Sequence, residues 1–292
     1  MALPFVPAEV ADRALGTLQA HLVLSQDGTP PSHVPLVAAQ IDSPEVPAAL
    51  GAYVVAVAAG GIEVDCQLSD ELAGITAETE DEVRRHFLKF VGVSNTFHTT
   101  TAKAFRDRVR NPWLAEMLVH ALLVLRSRED GPCLTGSVLA LKLPHLDPRR
   151  TGLDTVGIYD ADGYPAAVIG EVKASKDRGR AELGKAVEFF REVDAGDRGT
   201  DISSELRALK VALPGNVRSK VADGYWRERR TYLPAVAHSR PLRHAEEHEG
   251  LGGLKPTADC RRLLALRLAT FHAFFDDVAD GCRSTIEELF TT

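Results

Sequence analysis

The clearest hydrophobic periodicity begins at residue 111. Trp113, Leu114, Met117, Leu118, Ala121, Leu122 and Leu125 recur at helical spacing, and Pro112 sits where a first-turn proline is tolerated. A helix is predicted there. Residues 134–143 are rich in strand formers and end at Pro144. Residues 152–159 and 166–173 are apolar runs of strand length, separated by Asp160-Ala161-Asp162-Gly163. Asp-Gly between two such runs signals a hairpin. Residues 180–193 read as a helix with Leu183, Ala186, Val187 and Phe190 on one face, and residues 232–237 as a strand. Residues 261–286 read as one long amphipathic helix that Gly281 could interrupt. The predicted order is helix, strands, helix, strand, helix.

The first hundred residues mix short apolar runs with Pro- and Gly-rich breaks. Residues 21–25, 35–41 and 53–57 read as strands or short buried segments. Acid-rich residues 70–85 read as a helix or solvated ramp leading into the apolar residues 87–93. The expectation is a small N-terminal α+β region over 1–105, of unassigned role, preceding a domain over 106–292. A length of 292 residues accommodates both. Residues 48–59 are too short an apolar run to span a bilayer, and the N-terminus lacks the basic start and apolar run of a signal peptide. Cys66, Cys133, Cys260 and Cys282 form no CxxC pair, as expected of reduced thiols in a cytoplasmic protein without a membrane partner. The net charge of −7 argues against a free-standing, tightly held nucleic-acid coat protein. A nucleic-acid enzyme with this balance concentrates its cations locally or borrows affinity from a partner.

Candidate chemistry lies in the two strands around the Asp-Gly turn. The period of two places Ile169, Glu171 and Lys173 on one face and Val168, Gly170 and Val172 on the other. A carboxylate and an ammonium at the end of an otherwise apolar strand are costly unless used or paired. If the strands form a hairpin about Asp162-Gly163, Asp154 faces Glu171 and Lys173. Two carboxylates and a lysine at a sheet end suit phosphodiester hydrolysis. The acids hold Mg²⁺, which prefers hard oxygen ligands, and the lysine orients the attacking water or stabilises phosphoryl charge.

These residues resemble the PD-(D/E)XK nuclease superfamily, whose core is helix–strand–strand–strand–helix–strand. Gly152-Leu153-Asp154 is similar to its first motif half, with Leu153 in place of the name-giving proline, and Gly170-Glu171-Val172-Lys173 to its second. Glu116 matches the acid that many members carry on the first core helix. The resemblance covers roughly residues 111–240. It implies a restriction-endonuclease-like α/β (α+β) core, a mixed sheet flanked by helices. It further implies a metal-dependent deoxyribonuclease binding Mg²⁺, with Mn²⁺ as substitute, through Asp154, Glu171, Glu116 and the carbonyl of Val172, with Lys173 catalytic. Lys176, Arg178, Arg180 and Lys185 follow the second motif and are candidate DNA-backbone contacts. A narrower resemblance is to the HamA-like nuclease subunits of the Hachiman anti-phage system. It rests on Trp113-Leu114-Ala115-Glu116, the two motif halves and a long final helix after a strand. It implies an antiviral effector controlled by a helicase partner, the HamB-like subunit.

Two alternatives belong to other classes. The first is a nuclease-fold binding or assembly module without catalysis. The second is a zinc hydrolase, because His244-Ala245-Glu246-Glu247-His248 fits an inverted zinc-protease signature. That chemistry needs both histidines on a buried helix, whereas the flanks here are polar and glycine-rich and predict an exposed loop.

Overall fold

The computed structural model describes residues 7–60, 80–125, 134–144 and 152–290. Residues 70–79 of the acid-rich stretch, and Cys66 and Cys133, lie outside them. The helices are α1 (Pro7–His21), α2 (Glu45–Ala58), α3 (Glu80–Val91), α4 (Thr100–Phe105), α5 (Asn111–Leu125), α6 (Gly179–Ala195), α7 (Gly199–Ala212) and α8 (Phe271–Phe290), with shorter turns between them. A π-helical turn, Arg106–Arg110, joins α4 to α5. The strands are β1 (Val23–Gln26), β2 (Val34–Ala39), β3 (Val138–Leu141), β4 (Thr155–Ala161), β5 (Tyr164–Ala174), β6 (Arg230–His238) and β7 (Arg262–Arg267). They form one mixed seven-stranded sheet in the order β1-β2-β7-β6-β5-β4-β3. The chain is therefore mixed α/β, with a helix-flanked sheet as expected from the sequence.

From residue 111 the order is helix, three antiparallel strands, two helices, then β6 parallel to β5. β2 pairs in parallel with β7, so residues from before position 105 extend the same sheet. One apolar core packs α1, α2, α3, α5 and α8 against Val168, Val172, Leu233 and Leu264. The opposite core packs α6 and α7 against Ile169, Tyr232 and Val236. There Phe190 stacks on Tyr232 with ring centroids 4.4 Å apart. Asp194 of α6 accepts hydrogen bonds from the Tyr232 hydroxyl at 2.6 Å and from Arg230 at 2.7 Å, fixing the helix over the start of β6.

The β4–β5 hairpin forms as the Asp-Gly signal predicts. Ala161 pairs with Tyr164, and Asp162 and Gly163 both have positive φ, 53° and 84°. That is the backbone a two-residue type I′ turn requires. Two segments differ from expectation. Residues 53–57, read as a strand or short buried segment, are buried but helical, within α2, which is buried nearly all round. A valine run buried on every side has no amphipathic period to reveal its state, and packing between helices overrides its strand preference. Residues 262–267, read as the start of the last helix, are β7; the helix begins at Phe271 and continues through Gly281. β7 is buried on both faces, so Leu263, Leu264 and Leu266 show no alternation.

Gly281 sits where α8 crosses α2. A methyl group built on Gly51 would lie 2.6 Å from the backbone of Val278, Gly281 and Cys282. The helices can meet this closely only through glycine. Gly51→Val should therefore cost about 3 kcal/mol by overpacking, read as a lowered urea midpoint with an unchanged m-value.

Candidate active site

β5 carries Glu171 and Lys173 near its C-terminal end, on the face toward α6. Asp154 lies one residue before β4. Thr155 pairs with Gly170, so Asp154 falls opposite Glu171. The missing side chain at Gly170 permits this: a methyl group there would lie 2.8 Å from the Thr155 Cβ. The Asp154 carboxylate accepts the Val172 N–H at 2.8 Å, tying the end of one strand to the start of the other. Lys173 donates to the Glu171 carboxylate as an ion pair. Glu116 reaches this cluster from α5 and feels the charges of Asp154, Lys173 and Glu171. The four expected residues thus converge, although Glu116 stands 38 positions before Asp154.

The electrostatics are those of crowded carboxylates. Burial, then the neighbouring Asp154 charge, pushes the Glu171 carboxyl from 4.5 to about 7. Burial followed by Asp154 also raises Glu116 well above the carboxylate range, opposed by Lys173 and Lys142. For Lys173, burial alone would weaken the ammonium; Glu171, Asp154 and Glu116 outweigh it and hold its pKa above the usual value. The arrangement holds more negative charge than one lysine neutralises comfortably. Such strongly perturbed groups gathered at a sheet end are characteristic of functional sites.

Lys142 is a member that periodicity did not reveal. It follows β3, donates to the Leu153 carbonyl at 3.0 Å and ion-pairs Glu205 at 3.0 Å. It thereby fixes the residue beside Asp154. Its role depends on β3 pairing with β4, which no local motif announces.

The predicted DNA contacts separate into two pairs. Arg178 and Lys185 both ion-pair the buried Glu182, at 3.7 and 2.8 Å. Lys176, after β5, and Arg180, on α6, are exposed and carry no carboxylate partner among the described residues. They are the freer cations near the cluster.

Hard oxygen donors from Asp154, Glu171 and Glu116 have the chemistry for a divalent cation. Among the described residues no three His, Cys, Asp or Glu side chains are already arranged to hold a metal, and Lys173 pairs with Glu171. The raised carboxyls nevertheless fit a cation, since added positive charge relieves the crowding that raises them. The residues of the zinc signature lie in a loop, not on a helix. His244 Nε2 contacts Asp27 at 2.7 Å and His248 Nε2 contacts the Arg243 carbonyl at 3.0 Å. No helix of the described residues is long and apolar enough to cross a membrane. No known family model matches this chain, and no curated protein matches its sequence.

Proposed function

We propose that this chain is a Mg²⁺-dependent deoxyribonuclease of the PD-(D/E)XK type. We further propose that it serves as the effector of a bacterial anti-phage system restrained by a helicase partner. The observation that carries the nuclease reading is the convergence of Asp154, Glu171, Lys173 and Glu116, with burial raising both glutamates. The run of helix, three antiparallel strands and a helix leading to a parallel strand, with α7 as an added helix before β6, supports the superfamily likeness. The defence assignment rests on the motif resemblance and on the acidic balance, which favours borrowed DNA affinity.

Asp154, Glu171 and Glu116, with the Val172 carbonyl, would hold the metal. When bound, Mg²⁺ neutralises phosphodiester charge and makes a bound water more acidic. Asp154 is kept in place by the Val172 N–H. Glu171 sheds its proton as positive charge approaches. Lys173, released from Glu171, holds its proton and presents an ammonium to the attacking water and the phosphoryl oxygens. Lys176 and Arg180 bind the DNA backbone on the exposed side.

The test is cleavage of plasmid and linear DNA by the purified chain. Cleavage in Mg²⁺ or Mn²⁺ that EDTA abolishes is expected, and addition of the helicase should suppress it. Cleavage that persists in EDTA would remove the metal-dependent reading. Metal-dependent cleavage that the helicase leaves unchanged would remove the restraint.

A further inference from the structure

A second feature lies on the same sheet. Over the C-terminal halves of β2, β7 and β6 is a cleft of about 600 Å³, walled on one side by the residue 241–244 loop. Val236 links it to the candidate active site, pairing with Lys173 on β5 and with Ala265 on β7. Ala265 lines the cleft, two strands and roughly 10 Å from the lysine by ordinary strand spacing.

His238 lines this cleft and is 1% exposed. Its Nδ1–H donates to the Arg240 carbonyl at 2.5 Å, leaving Nε2 as an acceptor buried without a partner. Burial lowers the His238 pKa against the opposing Arg240 hydrogen bond, with His244 and Arg267 acting in the direction of burial, which favours the neutral ring and its lone pair. A buried acceptor without a donor calls for one from outside the chain. Arg267, opposite His238 in the ladder, is exposed and has no carboxylate partner among the described residues. Val37 and Leu242 supply apolar wall, and Asp27 holds the His244 ring against it at 2.7 Å. Gln40, at the rim, has a left-handed φ of 61°, a strained backbone of the kind found at ligand sites.

We propose that this cleft holds an unpaired nucleotide of the DNA substrate, with a base N–H on His238 Nε2 and its phosphate on Arg267. The inference rests on the nuclease reading and adds substrate class: DNA with a single-stranded end or an extruded base. An apolar slot with one hydrogen-bonding group suits a base free of its stack, and every base offers an N–H. Asp27 and Asp42 also line the cleft, but Asp27 faces His244, and Asp42 accepts the Ala269 N–H at 3.2 Å.

The test is fluorescence anisotropy in EDTA at one salt concentration, comparing a blunt duplex with the same duplex carrying a short single-stranded tail. The wild type should bind tailed DNA about tenfold more tightly. In Arg267→Ala, a substitution at an exposed position, the ratio should fall toward one, and His238→Gln should weaken it in the same direction. Equal affinity of the wild type for both DNAs, or an unchanged ratio in Arg267→Ala, would overturn the assignment. A wild type that cleaves DNA with metal yet shows no tail preference would sink the cleft assignment alone. A wild type that neither cleaves nor binds DNA would sink both proposals.

Discussion

Lys173→Ala should slow metal-dependent cleavage by about 10²–10³-fold, the usual loss when one group aimed at developing charge is removed. Metal affinity should be retained or raised, because the ammonium that competes for Glu171 is gone. Lys173 is partly exposed, so the fold should survive its truncation. Asp154→Asn should behave differently, losing both cleavage and metal affinity. It removes the carboxylate whose charge raises Glu116 and Glu171 and which accepts the Val172 N–H. Rates at saturating Mg²⁺, with metal titrations of both variants, separate the two roles. Wild-type cleavage by Lys173→Ala would show that the lysine only pairs with its neighbour.

The second large effect is on stability. In the folded, metal-free protein Glu171 keeps its proton to about pH 7, whereas in the unfolded chain it releases it near 4.5. Between these values the native state binds more protons than the unfolded state, so stability falls as pH rises. The contribution is intact below the unfolded pKa and lost by the folded one. At about 1.4 kcal/mol per pH unit, the loss is on the order of 3 kcal/mol. Glu116, raised in the same direction, adds to it. In EDTA the melting temperature should be higher near about pH 5 than near about pH 8, and Glu171→Gln should flatten that difference. Saturating Mg²⁺ should restore stability at the higher pH, since a ligand that binds only the native state stabilises it. A Glu171→Gln profile parallel to the wild type would mean that the carboxyl is not strained in the native state.

What was legible in the chain was local. Asp154, Glu171 and Lys173 could be placed together because a two-residue turn and the period of two determine the register of one hairpin. Glu116 was harder, since its position depends on how α5 packs across β5. The strand β7 was hidden because burial on both faces erased its alternation, and for a similar reason the burial of the α2 valines was legible but not their helical state. The parallel pairing of β2 with β7 joins residues more than two hundred positions apart, for which no local pattern exists. The cleft beside His238 shares that origin, assembled from β2, β6 and β7 and from the loops after β1, β2 and β6. Arg178 and Lys185 both pair with Glu182, contacts that the i, i+4 and i, i+3 spacing on one helix allows, and both side chains stay exposed.

The most direct test of the central claim is isothermal calorimetry of Mn²⁺ or Mg²⁺ binding near neutral pH, run in buffers of different ionisation enthalpy. Specific binding at Asp154, Glu171 and Glu116 is expected, accompanied by proton release as the raised carboxyls ionise. Binding should be lost in Glu171→Gln and in Asp154→Asn. Absence of binding in the wild type, or binding unchanged in both variants, would contradict it.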